Sequence, residues 1–236
     1  MPSPSWSRTR IAGKPVDVYE PEAAAVPFAL IWLHDEAGGL PASLLPELAA
    51  RRLRCVAPQA PRSWWVDRLC PSFDPDLTPE RFVTEHVRPW LLAGGRIGPR
   101  ALALAGIGMG GQGAVRLGLR HPGLFPVVAG LESAFDFHEV YGSAADLDQM
   151  YPDREQARLD TAVLHVSGHD WPSSIWFACS PRSRWYRGND RLHEKLAAVG
   201  VPHVADLDSL APPEERLPQL LDHLLDALGR ETRRLA

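Results

Sequence analysis

Short apolar runs alternate with longer amphipathic stretches along most of the chain. The apolar runs predict strands that are covered on both faces, and they lie at 28–34, 54–57, 101–105, 125–130, 175–179 and 203–207. Apolar residues spaced three and four apart predict helices between them, at 44–52, 79–92, 110–120, 191–199 and 217–228. This alternation predicts an α/β fold, with a mainly parallel twisted sheet and helices on both faces.

The N-terminal region and the second helix carry more specific signals. Polar and apolar residues alternate over 8–20 around Gly13-Lys14, which predicts an antiparallel hairpin at an edge of the sheet. The helix at 79–92 has Thr78 as its predicted N-cap and Pro79 at its first position. Its predicted buried face consists of Phe82, Val83, Val87, Trp90 and Leu91.

The size and composition of the chain limit its classes of partner. A chain of 236 residues with 45% apolar residues can form one domain over 1–236, in which 134–160 is a candidate cap segment. Twenty-five basic residues against 29 acidic ones give a net charge of −4 without a basic stripe, so we expect neither nucleic acid nor a membrane as partner. Cys55, Cys70 and Cys179 lack metal-ligand spacing, and we expect no metal and no cofactor. An odd number of cysteines and an N-terminus without an apolar signal region favour a cytoplasmic location.

A glycine-dense turn follows the apolar run at 101–105. Residues 106–113 read Gly-Ile-Gly-Met-Gly-Gly-Gln-Gly. A strand, a G-x-S-x-G turn and a helix together form the nucleophile elbow, which exposes a catalytic serine. The chain keeps Gly106 and Gly110 of that pattern, but Gly108 stands at its centre. The sequence therefore predicts the backbone of an elbow without its attacking oxygen.

Four segments, in a fixed order, carry a resemblance to a known family. They are Leu33-His34 before Ala37-Gly38-Gly39, Val56-Ala57-Pro58, the turn at 106–113, and the run at 125–130 leading to Ser133-Ala134. The chain resembles the α/β-hydrolase superfamily and, more narrowly, the small esterases of the Putative esterase and phospholipase/carboxylesterase type. The resemblance spans most of the chain and implies the α/β-hydrolase fold.

The resemblance also implies where three catalytic side chains would lie. A serine would stand at Gly108, an acid would follow the strand at 175–179, and a histidine would follow the last strand. Ser180 or Ser183 stands in the acid slot, and residues 208–216 contain no histidine. All three positions are therefore substituted, and the three groups act as a unit in working enzymes.

The pocket around the elbow follows from the same resemblance. Its oxyanion hole would use the backbone amide of Met109 and a second amide near Asp35 or Glu36. We expect the two carboxylates of this loop to point outward into solvent. Further pocket residues implied by the resemblance are His34, Ser133, His138, Trp65 and Trp171. Loop tryptophans could either line this crevice or seal the core, and the sequence leaves both alternatives open.

Three hypotheses for function follow. The leading one is a catalytically defective esterase-like homologue, a pseudoenzyme that binds a small molecule or a protein partner through the vestigial pocket. The rival is an active hydrolase with relocated or non-serine catalytic residues, drawn from Ser133, His138, Ser167 or His169. The third is a structural subunit that forms a dimer with an active paralogue. A homodimer of the chain is a separate candidate assembly.

Overall fold

The computed structural model describes residues 5–22 and 25–234. Within them, the strands are β1 (Ser7–Ile11), β2 (Lys14–Tyr19), β3 (Ala29–Leu33), β4 (Arg54–Pro58), β5 (Leu102–Ile107), β6 (Val127–Leu131), β7 (Ser174–Ala178) and β8 (Val204–Asp206). They form one sheet in the order β1-β2-β4-β3-β5-β6-β7-β8. The pairs β1–β2 and β2–β4 are antiparallel, and the other pairs are parallel. The predicted α/β class with a mainly parallel sheet is confirmed.

The hairpin lies at the sheet edge, as predicted, but its turn is one residue earlier than expected. Ile11 pairs with Lys14, so Ala12 and Gly13 form the turn. Both have positive φ, 47° and 76°, as a tight two-residue hairpin turn requires.

Helices connect the strands on both sides of the sheet. They are α1 (Leu44–Arg51), α2 (Pro79–Arg81), α3 (Arg88–Ala93), α4 (Met109–Arg120), α5 (Phe137–Val140), α6 (Ala145–Met150), α7 (Arg154–Leu159), α8 (Tyr186–Val199) and α9 (Pro213–Arg233). Phe82–Val87 joins α2 to α3 as a π-helical stretch, and Ala162–His165 is a 3₁₀ turn. α8 begins earlier than the predicted residue 191.

The predicted cap of the second helix is confirmed, but one residue of its buried face is not. The Thr78 hydroxyl oxygen accepts a hydrogen bond from the Arg81 amide at 3.2 Å. Trp90, predicted to be buried, is 41% exposed. The π-helical stretch holds more residues per turn than an α-helix, so it rotates the following residues away from the face that an α-helical period predicts.

Two apolar layers enclose the sheet. On one side, a stripe of leucines on α9 packs over β5, β6 and β7; its buried members are Leu217, Leu220, Leu221, Leu224 and Leu228. On the other side, α4 and the segments flanking α3 and α5 cover the sheet. Burial on both faces explains why the central strands are continuous apolar runs.

The segment between β6 and β7 contains α5, α6, α7 and the 3₁₀ turn. Short helices of this kind were not predicted individually, because each is too short to show a helical period. The segment is packed into the main core through buried aromatic and aliphatic side chains, namely Phe135, Phe137, Leu147 and Tyr151.

A buried ionic network ties this segment to α4. Its centre is the fully buried Arg116, which donates to Glu80 Oε2 at 2.6 Å and also pairs with Asp160. We call it the Arg116 cluster; its members are Glu80, Arg116, Arg120, His121, Tyr151 and Asp160. A buried charge is tolerated only where paired charges and hydrogen bonds satisfy it, as they do here.

Candidate functional site

The turn between β5 and α4 holds Gly108 in a backbone conformation that most residues avoid. Its φ is 57° and its ψ is −118°. Its amide donates to the Leu131 carbonyl at 2.9 Å, and its carbonyl accepts from the Ala134 amide at 3.3 Å. Glycine occupies this region freely, whereas an ordinary residue is strained there by about 1–3 kcal/mol. The turn is thus fixed on both sides by the backbone that follows β6.

Gly106 and Gly110 bring the start of α4 directly against the end of β3. An ideal Cβ at Gly106 would lie 2.4 Å from the Leu33 carbonyl oxygen, and one at Gly110 would lie 1.9 Å from it. No side chain fits in either gap. The loop that follows β3 therefore passes immediately over the turn at Gly108.

The side chain of Asp35 comes from that loop and points inward. Its Oδ1 accepts a hydrogen bond from the Met109 amide at 2.8 Å. An ideal Cβ built on Gly108 would lie only 2.1 Å from the same oxygen. The expectation that this carboxylate points into solvent is wrong for Asp35, because the unpaired amide at the start of α4 attracts an anion. Asp35 as a residue stays exposed, and Glu36 is partly exposed.

His34 fixes the backbone of Asp35 from below. Its Nε2 accepts from the Ala60 amide at 2.8 Å, so the proton of the ring is on Nδ1, which donates to the Asp35 carbonyl at 2.6 Å. Burial lowers the pKa of His34 despite the nearby Asp35 carboxylate, and the ring is neutral. The Trp65 indole donates to the His34 carbonyl at 3.2 Å. His34 and Trp65 therefore support the loop and do not face an open pocket.

The resemblance implies a catalytic acid in the loop after β7, and a carboxylate that follows another strand binds this loop. Ser180 and Ser183 form the turn that leads into α8, where the Ser183 hydroxyl accepts from the Trp185 amide at 3.2 Å. Glu132, directly after β6, accepts from the Ser180 amide at 2.7 Å. Burial raises the pKa of Cys179 to about 12, so its neutral thiol donates to Glu132.

Glu132 is the site residue that the sequence reasoning missed. It has a positive φ of 45°, which is strained for a residue with a side chain. The available signal was its place directly after a buried strand, at the same edge of the parallel sheet as Gly108. The family resemblance implies an acid only in the loop after β7.

The loop after β8 carries a salt bridge in place of a histidine. Arg216, from the first turns of α9, is 2% exposed and donates to Asp206 Oδ2 at 2.6 Å. The ion pair joins the end of β8 to α9. Its chemistry is that of a structural contact, because a guanidinium stays protonated and cannot accept a proton from a nucleophile.

Six of the eight histidine side chains other than His34 have hydrogen-bond partners away from the turn. The pairs are His121 with Glu80, His165 with Asp160, His169 with Ser167, His193 with His203 and His223 with Ser174. Within residues 5–22 and 25–234, no hydrogen bond joins a histidine to the carboxylate of Asp35 or to Glu132. The Asp35 carboxylate lies against the turn at Gly108, Glu132 follows β6 beside it in the sheet, and neither carboxylate is hydrogen-bonded to a histidine in the described residues.

The family follows from a comparison with protein-family models. The Esterase model, described as "Putative esterase", matches residues 72–205. The match covers more than half of the 236-residue chain. The chain belongs to the Putative esterase family. No curated protein matches it at a significant level.

Solved structures similar to this esterase-family chain share its fold at low sequence identity. MPT51 of Mycobacterium tuberculosis has a TM-score of 0.74 and 16% identity, over 96% of this chain and 99% of that one. An S-formylglutathione hydrolase from Agrobacterium tumefaciens has a TM-score of 0.73 and 15% identity, over 96% and 94%. The fluorophosphonate-binding serine hydrolase F of Staphylococcus aureus has a TM-score of 0.71 and 13% identity, over 91% and 92%. These likenesses support the α/β-hydrolase fold.

Two serines proposed as relocated nucleophiles of this esterase-family chain have different surroundings. Ser133 is fully buried, and its hydroxyl donates to the Leu131 carbonyl at 3.2 Å between Gly111 and Gly130. Ser167 and His169 form a hydrogen bond of 3.0 Å. They precede β7, so they lie at the amino ends of the strands, opposite to Gly108. The structure does not bring these candidates together at the turn.

The remaining predicted pocket residues of the esterase-family chain are also separate from Gly108. His138 lines a cavity of about 320 Å³ together with Asp136, Arg158, Thr161 and Arg191. Trp171 lies just before β7, at the amino edge of the sheet, so its assignment to a pocket at the carboxyl edge is wrong. Trp64, Trp65 and Trp176 are buried in the core. Of the two alternatives for the tryptophans, these three seal the core.

The described part of the chain has neither a side-chain cluster for a metal ion nor a helix suited to a bilayer. Those residues contain no group of three or more His, Cys, Asp or Glu side chains placed to hold a metal ion. None of their helices combines the length and the apolar composition needed to cross a bilayer.

Proposed function

We propose that this chain is a non-hydrolytic member of the Putative esterase family, which binds a ligand or a protein partner at the turn after β5 and does not cleave it. The observation that carries the proposal is Gly108, with its φ of 57° at the point where the family resemblance implies the nucleophile. A glycine there keeps the turn and supplies no attacking oxygen.

The surroundings of Gly108 support the proposal chemically. A serine hydroxyl attacks an ester carbonyl only when a base takes its proton, and the base needs an orienting acid. Glu132 is engaged with the Ser180 amide and the Cys179 thiol, and Arg216 is paired with Asp206. An oxyanion hole also needs free donors, but the Met109 amide already binds Asp35. The turn therefore has no nucleophile and no base, and its oxyanion donor is already bound by Asp35.

The competing proposal is an active hydrolase with relocated residues. The hydrogen bond of 3.0 Å between Ser167 and His169 favours it, because a serine and a histidine within reach can form a nucleophile and base pair. Both residues lie in a loop at the amino ends of the strands, away from the start of α4. We rank this proposal second, because the pair lies away from the Met109 amide, where the family resemblance implies the oxyanion donor that stabilises the transition state.

Labelling with a fluorophosphonate probe separates the two proposals. We expect no covalent adduct on the wild-type chain and no turnover of p-nitrophenyl acetate above the buffer rate. The Staphylococcus aureus neighbour described as fluorophosphonate-binding is the positive control.

The labelled peptide decides the outcome. An adduct on Ser167 that disappears in Ser167→Ala would establish the competing proposal. Steady turnover would also overturn the non-hydrolytic assignment if it survives repurification and persists in every serine variant. That outcome would indicate a mechanism without serine.

A further inference from the structure

We propose that the cavity of about 320 Å³ in the segment between β6 and β7 is a ligand site for a small carboxylate with an apolar body. Residues of α7, the 3₁₀ turn and α8 form its walls together with Asp136 and Thr161; the other members are Arg158, Val163, Leu164 and Arg191. Sites for small molecules have volumes of about 300–1,000 Å³, so the cavity has room for one small ligand. None of these residues belongs to the turn at Gly108, and the inference goes beyond the proposed function.

The side-chain oxygens in the walls of the cavity are already engaged. Asp136 is buried; its Oδ1 accepts from the His138 amide at 2.9 Å, and its Oδ2 accepts from Arg191. The buried Thr161 hydroxyl accepts from the Phe137 amide at 3.0 Å and donates to a backbone carbonyl. A donor on a ligand would therefore have to share an acceptor that is already bound.

Two guanidinium groups in the same walls keep donors to spare. Arg191 donates to Asp136 through Nη1. Arg158 donates to Glu155 through Nε at 2.7 Å and through Nη2 at 2.6 Å. A guanidinium carries more N–H groups than these contacts use, so both arginines retain donors without an acceptor in the part of the chain that the structure describes. Carboxylates and phosphates are the acceptors that match guanidinium geometry best.

The charges around the cavity do not oppose an anion. Three nearby carboxylates each pair with an arginine, so their formal charges cancel; the pairs are Asp136 with Arg191, Glu155 with Arg158, and Glu139 with Arg187. The imidazole of His138, which also lines the cavity, has no hydrogen-bond partner among residues 5–22 and 25–234. An incoming carboxylate thus meets spare donors and no uncompensated negative charge.

The 3₁₀ turn supplies an apolar wall, which favours a carboxylate over phosphate. Leu164 is 44% exposed, and Val163 beside it is half-buried against the core. Covering exposed apolar surface is favourable in proportion to the area removed from water. Phosphate has no apolar surface to cover this wall. A carboxylate on a small apolar body, as in phenylacetate, contacts both the guanidinium groups and the leucine.

Titration of the wild type, Arg158→Gln and Arg187→Gln with phenylacetate tests the inference. The readout is the Kd obtained from the chemical shifts of the Val163 and Leu164 amides in ¹⁵N-resolved NMR spectra. For so small a ligand we expect a wild-type Kd on the order of 1 mM. Loss of a charge-assisted hydrogen bond should raise the Kd roughly tenfold in Arg158→Gln. Arg187→Gln is the matched control, because this exposed arginine also pairs with a glutamate but does not line the cavity, and its Kd should stay within about twofold of the wild type.

Glu155→Gln should change the affinity in the opposite direction. It removes the carboxylate that occupies Arg158, so we expect the Kd to fall roughly threefold. A merely structural role of this ion pair would give Arg158→Gln and Glu155→Gln the same direction of change. Both side chains are exposed, so neither substitution should prevent folding.

Two further compounds test the ligand class. Phenylacetamide keeps the shape of phenylacetate without its charge, and inorganic phosphate keeps a charge without the apolar body. Each should bind roughly tenfold more weakly than phenylacetate. Equal affinity for either compound overturns the inference. An unchanged Kd in Arg158→Gln, no saturation up to about 20 mM, or shifts confined to the turn at Gly108 would also overturn it.

Discussion

Residue 108 and residue 35 share one small volume. Gly108 supplies no side chain, and the Asp35 carboxylate fills the space and satisfies the Met109 amide. A side chain at 108 would force the carboxylate off that amide. The two positions are therefore energetically coupled, although 35 and 108 are far apart in the sequence.

This coupling predicts the effect of Gly108→Ala. The positive φ costs about 1–3 kcal/mol for a residue with a Cβ, and the displaced Asp35 leaves an unsatisfied amide, so we expect the free energy of unfolding to fall by at least that amount. In an Asp35→Ala background the same change should cost less. Urea denaturation of the four proteins in this double-mutant cycle measures the difference.

Gly123→Ala is the control for this cycle, because a Cβ at Gly123 meets nothing within 4 Å. It should be close to neutral. Equal costs of Gly108→Ala in both backgrounds would show that the two residues are not coupled.

At this scale the sequence predicts which residues meet but not how they point. The spacing of Gly106 and Gly110 predicts where the turn lies, and the family resemblance predicts that Asp35 and Met109 are neighbours. The inward direction of the Asp35 carboxylate depends on an amide 74 residues away along the chain. Glu132 was overlooked for a similar reason, because its partner, the Ser180 amide, lies on another strand's loop.

The segment between β6 and β7 depends on α4 for its position. Asp160 and Tyr151 from this segment meet Arg116 of α4, which also pairs with Glu80 before the π-helical stretch. One buried guanidinium thus joins three separate elements.

Arg116→Leu tests this joining role. Removing one partner of a buried ion pair leaves uncompensated carboxylates, so we expect a loss of about 3–5 kcal/mol in the free energy of unfolding. Hydrogen exchange should also rise in the amides of α7 and the 3₁₀ turn.

Arg81→Ala is the matched control, since Arg81 and Glu85 form an exposed pair one helical turn apart. Its effect should stay below about 1 kcal/mol. A similarly small effect of Arg116→Leu would mean that apolar packing alone anchors the segment.

At the element scale, periodicity predicts long elements and fails for short ones. The strands and the leucine stripe of α9 are confirmed because burial on both faces, or on one face, leaves a repeated pattern. α5, α6 and α7 were not predicted individually, since their ends are set by side-chain caps such as Asp136 and Asp153 and by contacts with the core. Trp90 was misplaced because one π-helical turn breaks the period.

The described part of the chain packs one mainly parallel sheet between two apolar layers, and its few buried charged side chains, such as Glu80, Arg116 and Arg216, are paired with opposite charges. Strand and helix alternation predicted this architecture, because parallel strands need a connection across one face. The antiparallel β2 beside β4 joins the hairpin to the parallel sheet. The site lies where the carboxyl ends of β3, β5 and β6 meet, as in other open α/β sheets.

Acid should destabilise the whole molecule through Glu80. Burial opposes ionisation of this carboxyl, but the hydrogen bond from His121 and the charges of Arg116 and Arg120 outweigh it and lower its pKa from 4.5 to about 2. A depressed carboxyl pKa contributes stability above the unfolded-state value, and the contribution is lost as the pH falls through the folded-state value. The loss should be on the order of 3 kcal/mol between about pH 5 and pH 2.

Urea denaturation over this pH range measures the loss. Glu80→Gln should be less stable than the wild type at pH 7, and its stability should depend less steeply on pH. The exposed Glu85→Gln should keep nearly the whole wild-type slope. An unchanged slope in Glu80→Gln would contradict this assignment of the acid sensitivity.

A single substitution at position 108 would supply a hydroxyl but not the surroundings that serine chemistry needs. A serine there would collide with the Asp35 carboxylate. Loss of Asp35 alone would bring no nucleophile, and neither change would supply Glu132 with a histidine. Serine chemistry at this turn would therefore need coordinated changes at position 108, at position 35 and beside Glu132.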